Sequence, residues 1–167
     1  SVMNILSINI GGINDRKKRA CAKEYLKSLK PDLVCLQETH IQYNERQTFD
    51  DLGLYRIIVS RQMHRTRGVA ILAKTDLGCK LKSASDAQGR WAITEFQAPG
   101  IKLTVCCVYG SNFDEPTLIE TINAELYSRS APFIICGDLN CNLQRSLSQQ
   151  VYTGRKPRTV LAVQQLM

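Results

Sequence analysis

Residues 31–40 read PDLVCLQETH, and this stretch decides how the chain folds. Pro31 ends whatever helix precedes it, because proline disfavours helical geometry in the residue before it. The segment DLVCLQE at 32–38 is then a short, continuously apolar run, as expected of a strand covered on both faces. Glu38 places a carboxylate directly after that run, where a charge is costly unless a cation compensates it. The stretch therefore predicts a buried strand with a cation site at its end.

Sequence on either side of this stretch predicts a strand-rich fold with few helices. The predicted strands lie at residues 3–10, 32–38, 55–60, 67–74, 90–96, 101–109 and 132–136. The predicted helices lie at 15–30, with Asp15 as the N-cap, from about Pro116 onwards, and at 159–167. The order β-α-β-β-β-β-β-α-β-α favours an α+β or layered α/β sandwich over a regular alternating βαβ fold.

Composition and charge suit a globular protein with an acidic partner. The 167 residues are 44% hydrophobic and 22% charged, so a sizeable core is expected and disorder is not. No apolar run is long enough to cross a bilayer. The net charge of +7 favours nucleic acid first and an anionic membrane second. The seven cysteines lie mostly in apolar stretches without a zinc spacing, which predicts reduced thiols in an intracellular protein.

Polar residues recur at the ends of the predicted strands. Asn9 ends the first strand, Glu38 ends the second, and Asp138 and Asn140 follow the last. Ligand sites gather at strand ends because a rigid sheet can aim side chains from the loops that follow it. Mg²⁺ suits such a set, since it takes few carboxylates and keeps room for water and phosphate. Taken singly, each residue is better explained as a solvated strand end or, in GDLN, as a turn, and only their order and context together favour a site.

Three basic clusters are candidates for contacting the DNA backbone. They comprise residues 16–19 (RKKR), then Arg61, Arg65 and Arg67, and finally Arg155, Lys156 and Arg158. The first lies where a helix begins, so its cations oppose the helix dipole by about 0.3–1 kcal/mol each. That cost favours an external role, and Arg16, Lys17, Arg65 and Arg67 are the candidates for substrate binding. The alternative is a solvated charged surface.

Six motifs along the chain resemble those of a known superfamily. They are SINIGGIN (7–14), PDLVCLQETH (31–40), RGVAILAK (67–74), GRW (89–91), VYGSN (108–112) and GDLN (137–140). In this order they resemble the endonuclease/exonuclease/phosphatase superfamily, and most closely the apurinic-type endonuclease domains of non-LTR (LINE-type) retrotransposons. DNA-repair members usually continue QET with Lys, whereas here His40 follows, which favours the retrotransposon branch.

This resemblance implies a fold, a cofactor and residue roles. The fold would be α+β, a four-layer α/β sandwich of the deoxyribonuclease I-like type. Glu38, with Asn9, would hold Mg²⁺, for which Mn²⁺ can substitute. Tyr109, otherwise readable as a core aromatic, would support the scissile phosphate. The remaining roles fall to Asp138, which would orient or deprotonate the attacking water, to Asn140, which would contact phosphate or steady the site, and to Asn112, which would line it.

The family pattern also contains parts that this sequence lacks. Further strands, an Asp and a Ser-Asp-His motif follow in the family, and neither His40 nor His64 is preceded by Ser-Asp. We therefore expect residues 1–167 to be a single endonuclease domain, the N-terminal and central part of a longer polyprotein, without its C-terminal strands. An open sheet edge would then need a dimer or another partner to cover it. Weak or no nicking is expected of this piece alone.

Three functions follow as hypotheses. The first is a Mg²⁺-dependent DNA endonuclease that nicks target DNA for retrotransposon integration, linked to a reverse transcriptase in the same parent chain. It would act inside the cell, in the nucleus, without a membrane. The second is an apurinic-site repair nuclease, or a phosphatase, of the same superfamily. The third is a non-catalytic module for nucleic-acid binding or assembly.

Overall fold

A computed structural model of the protein describes residues 3–41, 49–53, 55–59, 66–77, 80–110 and 116–140. The chain divides into two compact units. The first comprises Ser1–Tyr109 with Ala131–Asp138, and the second comprises Gly110–Ser130 with Leu139–Met167. The expectation of a single domain over 1–167 stays a prediction.

Eight strands and two α-helices make up the described fold. The strands are β1 (Ile5–Asn9), β2 (Leu33–Gln37), β3 (Tyr55–Val59), β4 (Val69–Lys74), β5 (Lys80–Ser85), β6 (Trp91–Ala98), β7 (Ile101–Tyr109) and β8 (Phe133–Asp138). The helices are α1 (Arg16–Leu29) and α2 (Pro116–Tyr127), and no described helix is long and apolar enough to span a membrane. All seven predicted strands and the first two helices are confirmed, and the predicted helix at 159–167 lies outside the described residues.

Strand β5 was not predicted from the sequence. Its residues, KLKSAS, carry no β-branched or aromatic side chain, so their own strand preference is weak. The strand is stabilised instead by pairing, because β5 is hydrogen-bonded antiparallel to β6 along its whole length, from Lys80 opposite Gln97 to Ser85 opposite Ala92.

The first unit contains two four-stranded sheets. One has the order β1-β2-β4-β3 and the other β5-β6-β7-β8. β1 runs parallel to β2, and β7 runs parallel to β8, whereas the other pairs are antiparallel. Because parallel neighbours end together, Asn9 lies beside Gln37 and Tyr109 lies beside Asp138. The register therefore brings the predicted strand-end residues together in two pairs.

The core of this unit lies on both faces of β2. One buried cluster fills the space between the two sheets and includes Leu33, Cys35 and Cys107. The other, with Val34 and Leu36, packs against α1 and the segment 49–52. Every residue of β2 is buried, which confirms the prediction of a strand covered on both faces.

Helix α1 begins and ends where the sequence predicts. The carboxylate of Asp15 accepts the Lys17 amide at 2.8 Å, which satisfies one of the free N–H groups of the first turn. At the other end Lys30 adopts a left-handed conformation and donates its N–H to the Leu26 carbonyl at 2.8 Å. Pro31 follows and cannot extend the helix.

The described cysteines carry no disulfide, as expected of reduced thiols. Cys35, Cys106 and Cys107 are buried, Cys136 is half-buried and Cys21 is exposed. Cys79 and Cys141 lie outside the described residues.

Candidate active site

Glu38 lies at the centre of a cluster of polar side chains in the first unit. Its Oε1 accepts a hydrogen bond from Asn9 Nδ2 at 2.9 Å, and its Oε2 lies 3.6 Å from His40 Nε2. The Tyr109 hydroxyl also hydrogen-bonds to this carboxylate. The structure thus brings together Asn9 from β1, Glu38 from the loop after β2 and Tyr109 from β7.

Its neighbours stabilise the charged form of Glu38. The hydrogen bond from Asn9 is the largest cause that holds the pKa of the Glu38 carboxyl below its ordinary value of 4.5. Tyr109 and His40 act in the same direction, while partial burial opposes them. The carboxylate is therefore ionised at neutral pH, and with its side chain 26% exposed it remains within reach of a cation from solvent.

The backbone that carries Glu38 is strained and firmly held. Glu38 and His40 have positive φ angles of 51° and 56°, a left-handed conformation that non-glycine residues seldom adopt. On one side, the amides of residues 10, 12 and 13 donate to the carbonyls of residues 37, 38 and 39, at 2.6–3.0 Å. On the other, the amides of residues 39 and 40 donate to the carbonyls of Gly68 and Arg67 at 3.0 and 2.9 Å. Strain maintained by surrounding hydrogen bonds is a mark of functional sites.

His40 is fixed as firmly as Glu38. A Cβ atom added at Gly12 would come within 2.8 Å of His40 Nδ1, so the imidazole lies close over the Gly12 backbone. The His40 carbonyl accepts the side-chain amide of Asn14 at 2.9 Å. The SINIGGIN and QETH motifs are therefore in direct contact, which their sequence separation conceals.

Asp138 lies beside this cluster at the end of β8. It is half-buried and is the register partner of Tyr109 on the parallel strand β7. Gly137 has a φ of 143°, and a Cβ there would overlap the carbonyl oxygen of Val108. Only glycine allows β8 to approach β7 so closely, which explains the Gly-Asp pair of GDLN.

Asn140 belongs to the second unit. Its φ is 49°, and its side-chain amide donates to the Gly110 carbonyl at 2.5 Å. This geometry matches the turn interpretation of GDLN and shows Asn140 bracing the residue that follows β7. Its catalytic role stays a prediction, and Asn112 and Arg65 lie outside the described residues.

The four residues of the basic run at 16–19 differ in the contacts they make with the described part of the chain. Lys18 Nζ donates to the Gly11 carbonyl at 2.8 Å, and Arg19 binds Asp51 at 2.9 Å as well as two carbonyls of the loop before α1. These two side chains therefore brace that loop, and the DNA contact expected of the run stays a prediction. Arg16 and Lys17 are exposed and form no ion pair with another described residue.

Arg67 has a backbone role in addition to its proposed contact with substrate. Its carbonyl accepts the His40 amide, and the residue is half-buried beside Gly68. The GRW motif at 89–91 has no role predicted from the sequence. The Arg90 carbonyl accepts the Tyr109 amide at 2.7 Å, so this motif adjoins the cluster. The contact joins residues 19 positions apart, and no local sequence pattern predicts it.

The oxygen donors of the cluster suit a hard divalent cation. Among the described residues, no group of three or more His, Cys, Asp and Glu side chains is placed to hold a metal ion. Mg²⁺ needs fewer protein ligands than that, because it binds through one or two carboxylates and keeps several waters. Glu38 meets that requirement. Asn9 turns its amide nitrogen toward Glu38, and its Oδ1 accepts the Gly11 amide at 3.1 Å, which leaves one lone pair of that oxygen for a ligand.

Comparison with known proteins places the chain in a family and matches its fold. A profile of the Endonuclease/Exonuclease/phosphatase family matches residues 6–159. The AP endonuclease LMAP from Leishmania major is 18% identical, with a TM-score of 0.71 over 99% of this chain and 66% of its own. The APE2 catalytic domain from Xenopus laevis is 23% identical, with a TM-score of 0.70 over 98% and 67%.

A mobile-element protein has the same fold. The endonuclease domain of TRAS1, a telomere-specific non-LTR retrotransposon, is 16% identical, with a TM-score of 0.67 over 99% of this chain and 69% of its own. This chain therefore spans about two-thirds of the length of all three structures. At these identities the likeness establishes the fold, and the expected α+β fold of the deoxyribonuclease I-like type is confirmed.

Proposed function

The chain belongs to the endonuclease/exonuclease/phosphatase family, and from that premise we propose that it carries part of the site of a Mg²⁺-dependent DNA endonuclease. The fold is that of phosphodiester-cleaving enzymes, among them AP endonucleases and a retrotransposon endonuclease. The observation that carries the proposal is the Glu38 carboxylate, kept ionised by Asn9 and in contact with Tyr109 at the meeting point of two sheets.

In this proposal each residue has one task in hydrolysis. Glu38 and Asn9 would hold the cation, which would stabilise negative charge on the phosphate as a Lewis acid. Asp138 orients the attacking water and accepts its proton as the new P–O bond forms and the bond to the leaving oxygen breaks. Its register position beside Tyr109 supports this role.

Tyr109 has one hydroxyl proton and two candidate acceptors. In this structure the hydroxyl binds the Glu38 carboxylate. With substrate bound, the hydroxyl would donate instead to a phosphate oxygen, and a donor aimed at developing charge lowers the barrier.

DNA is the proposed substrate because of charge. The chain carries a net charge of +7, and Arg16 and Lys17 are exposed in the first turn of α1. A small phosphate ester needs no such surface, which disfavours a phosphatase. The salt dependence of DNA binding tests this step. In a plot of the logarithm of the binding constant against the logarithm of the salt concentration, each neutralised phosphate contributes about 0.9 to the magnitude of the slope. We expect Arg16→Gln with Lys17→Gln to lower the slope by about 2, and Lys27→Gln, whose ammonium already pairs with Glu24, to leave it unchanged.

The biological setting is a further part of the proposal. We propose nicking of target DNA for retrotransposon integration, in the nucleus, with a reverse transcriptase in the same parent chain and a second copy or another partner over the open sheet edge. His40 after QET supports this branch over DNA repair. Comparing intact with abasic DNA tests the choice, since a repair nuclease would cut the abasic duplex far faster.

Plasmid nicking tests the activity itself. Supercoiled DNA is incubated with the protein at high concentration and Mg²⁺, with EDTA as a blank. We expect weak nicking that Glu38→Gln and Asp138→Asn abolish. Glu120→Gln, the same loss of charge at an exposed position of α2, should nick like the wild type. Equal nicking by the Glu38→Gln variant would refute the proposed site, and DNA binding without metal-dependent nicking would favour a non-catalytic nucleic-acid-binding module.

A further inference from the structure

The turn between β5 and β6 is closed by a largely buried ion pair. Asp86 Oδ2 accepts Arg90 Nε at 2.8 Å, and Asp86 Oδ1 accepts the backbone amides of Arg90 and Trp91 at 3.0 and 3.4 Å. The two side chains are only 9% and 18% exposed. A carboxylate that accepts three hydrogen bonds within five residues fixes the shape of the turn, because bonds to a charged acceptor are the strong ones.

Two carbonyls of this turn accept amides from the candidate active site. The Gly89 carbonyl accepts the Gly68 amide at 3.1 Å, and the Arg90 carbonyl accepts the Tyr109 amide at 2.7 Å. The carbonyl of Gly68 in turn accepts the amide of Thr39, the residue directly after Glu38, at 3.0 Å. The turn therefore reaches Tyr109 through one hydrogen bond and the Glu38 segment through two.

These contacts join the two sheets at the site. Glu38 follows a strand of the first sheet, whereas Tyr109 ends a strand of the second. Their side chains meet only if the ends of both strands are held at the right separation. Gly68, with a φ of 117°, has the conformation that lets one buried residue serve both as donor to the turn and as acceptor for Thr39.

We propose that Asp86 and Arg90 are positioning residues that set the separation between Glu38 and Tyr109. The inference rests on the proposed function of those two residues and assigns a task to the GRW and RGVAILAK motifs. Neither Asp86 nor Arg90 needs to touch substrate. Their effect on the reaction arises because a misplacement of about 1 Å can slow a reaction about a hundredfold.

Amide hydrogen exchange, measured by NMR, separates positioning from general stability. In Asp86→Asn and Arg90→Lys we expect the amides of Thr39, Gly68 and Tyr109 to exchange about tenfold faster, the effect of losing one hydrogen bond to a charged group. Amides elsewhere in the sheets should change far less. Glu95→Gln is the matched control, since it breaks an ion pair with Lys102 in the same sheet, away from the turn. Uniform acceleration, or none at these three amides, overturns the proposal.

Two further measurements make the test decisive. If both variants fail to fold, the wild type still decides the question. The turn holds the amides of Gly68 and Tyr109 directly and that of Thr39 through Gly68, so the three should share one opening free energy, and unrelated values would refute the link. Mn²⁺-induced broadening of Asn9 and Glu38 signals reports the metal site independently. Exchange coupling without Mn²⁺ binding would retain the structural link and refute the metal function. Mn²⁺ binding without exchange coupling would refute the positioning role alone.

Discussion

The left-handed backbone at Glu38 gives the most discriminating prediction. A non-glycine residue in this conformation costs about 1–2 kcal/mol, whereas glycine adopts it freely. Against that gain, glycine loses about 0.5–1 kcal/mol more than alanine through its larger unfolded-state entropy. Glu38→Ala and Glu38→Gly lose the same hydrogen bonds, so the difference between them isolates the backbone. We expect Glu38→Gly to be more stable than Glu38→Ala by about 0.5–1 kcal/mol.

Urea unfolding midpoints measure this difference, and Ala20 provides the control. Ala20 is exposed within α1 of the same unit, and Ala20→Gly should lower the free energy of unfolding by about 1 kcal/mol. The preference for glycine over alanine should therefore reverse in sign between the two positions. Equal stability of the two Glu38 variants, or a more stable alanine, would refute the claim that the site stores backbone strain.

Three further predictions concern pH, close packing and thiol accessibility. Because the pKa of Glu38 is lowered in the folded state, its contribution to stability is present above pH 4.5 and is lost as the pH falls through the folded-state pKa. The unfolding midpoints of wild type and Glu38→Gln should therefore converge in acid. Asn9→Ala should remove most of the pH dependence of stability that Glu38 causes. Gly137→Ala should destabilise by more than about 3 kcal/mol in thermal unfolding, because its Cβ would overlap a carbonyl oxygen of β7, and a loss below about 1 kcal/mol would contradict the packing. Iodoacetamide at pH 8 should label Cys21 in the native protein and leave Cys106, whose pKa burial raises, unlabelled until unfolding, as peptide mass spectrometry can establish.

Local sequence was enough to predict the strand and carboxylate at the centre of the site. The apolar run of β2 is short and follows Pro31, which favours a buried strand over a helix, and a carboxylate at its end needs compensation wherever the strand lies. Parallel pairing of β1 with β2 then follows from the helix between them, and it brings Asn9 to Glu38. These features depend on neighbours in sequence or on simple connectivity.

Features that depend on distant contacts were not predictable in the same way. β5 is a strand because β6 pairs with it, and its own residues give a weak signal. The basic run at residues 16–19 looks uniform, yet Lys18 and Arg19 hydrogen-bond to the loop before α1, whereas Arg16 and Lys17 form no ion pair with another described residue. The turn that joins Gly68 and Tyr109 was visible as a motif, but its hydrogen bonds exist only in the folded chain.

The central claim is that Glu38, oriented by Asn9 and touched by Tyr109, holds a divalent cation. A titration with Mn²⁺, followed by paramagnetic broadening in NMR spectra, tests it most directly because it requires no catalytic turnover. We expect broadening confined to residues around Glu38, including Asn9 and Tyr109, and its loss in Glu38→Gln. The same broadening in Glu38→Gln, or broadening centred on another part of the chain, would contradict the claim.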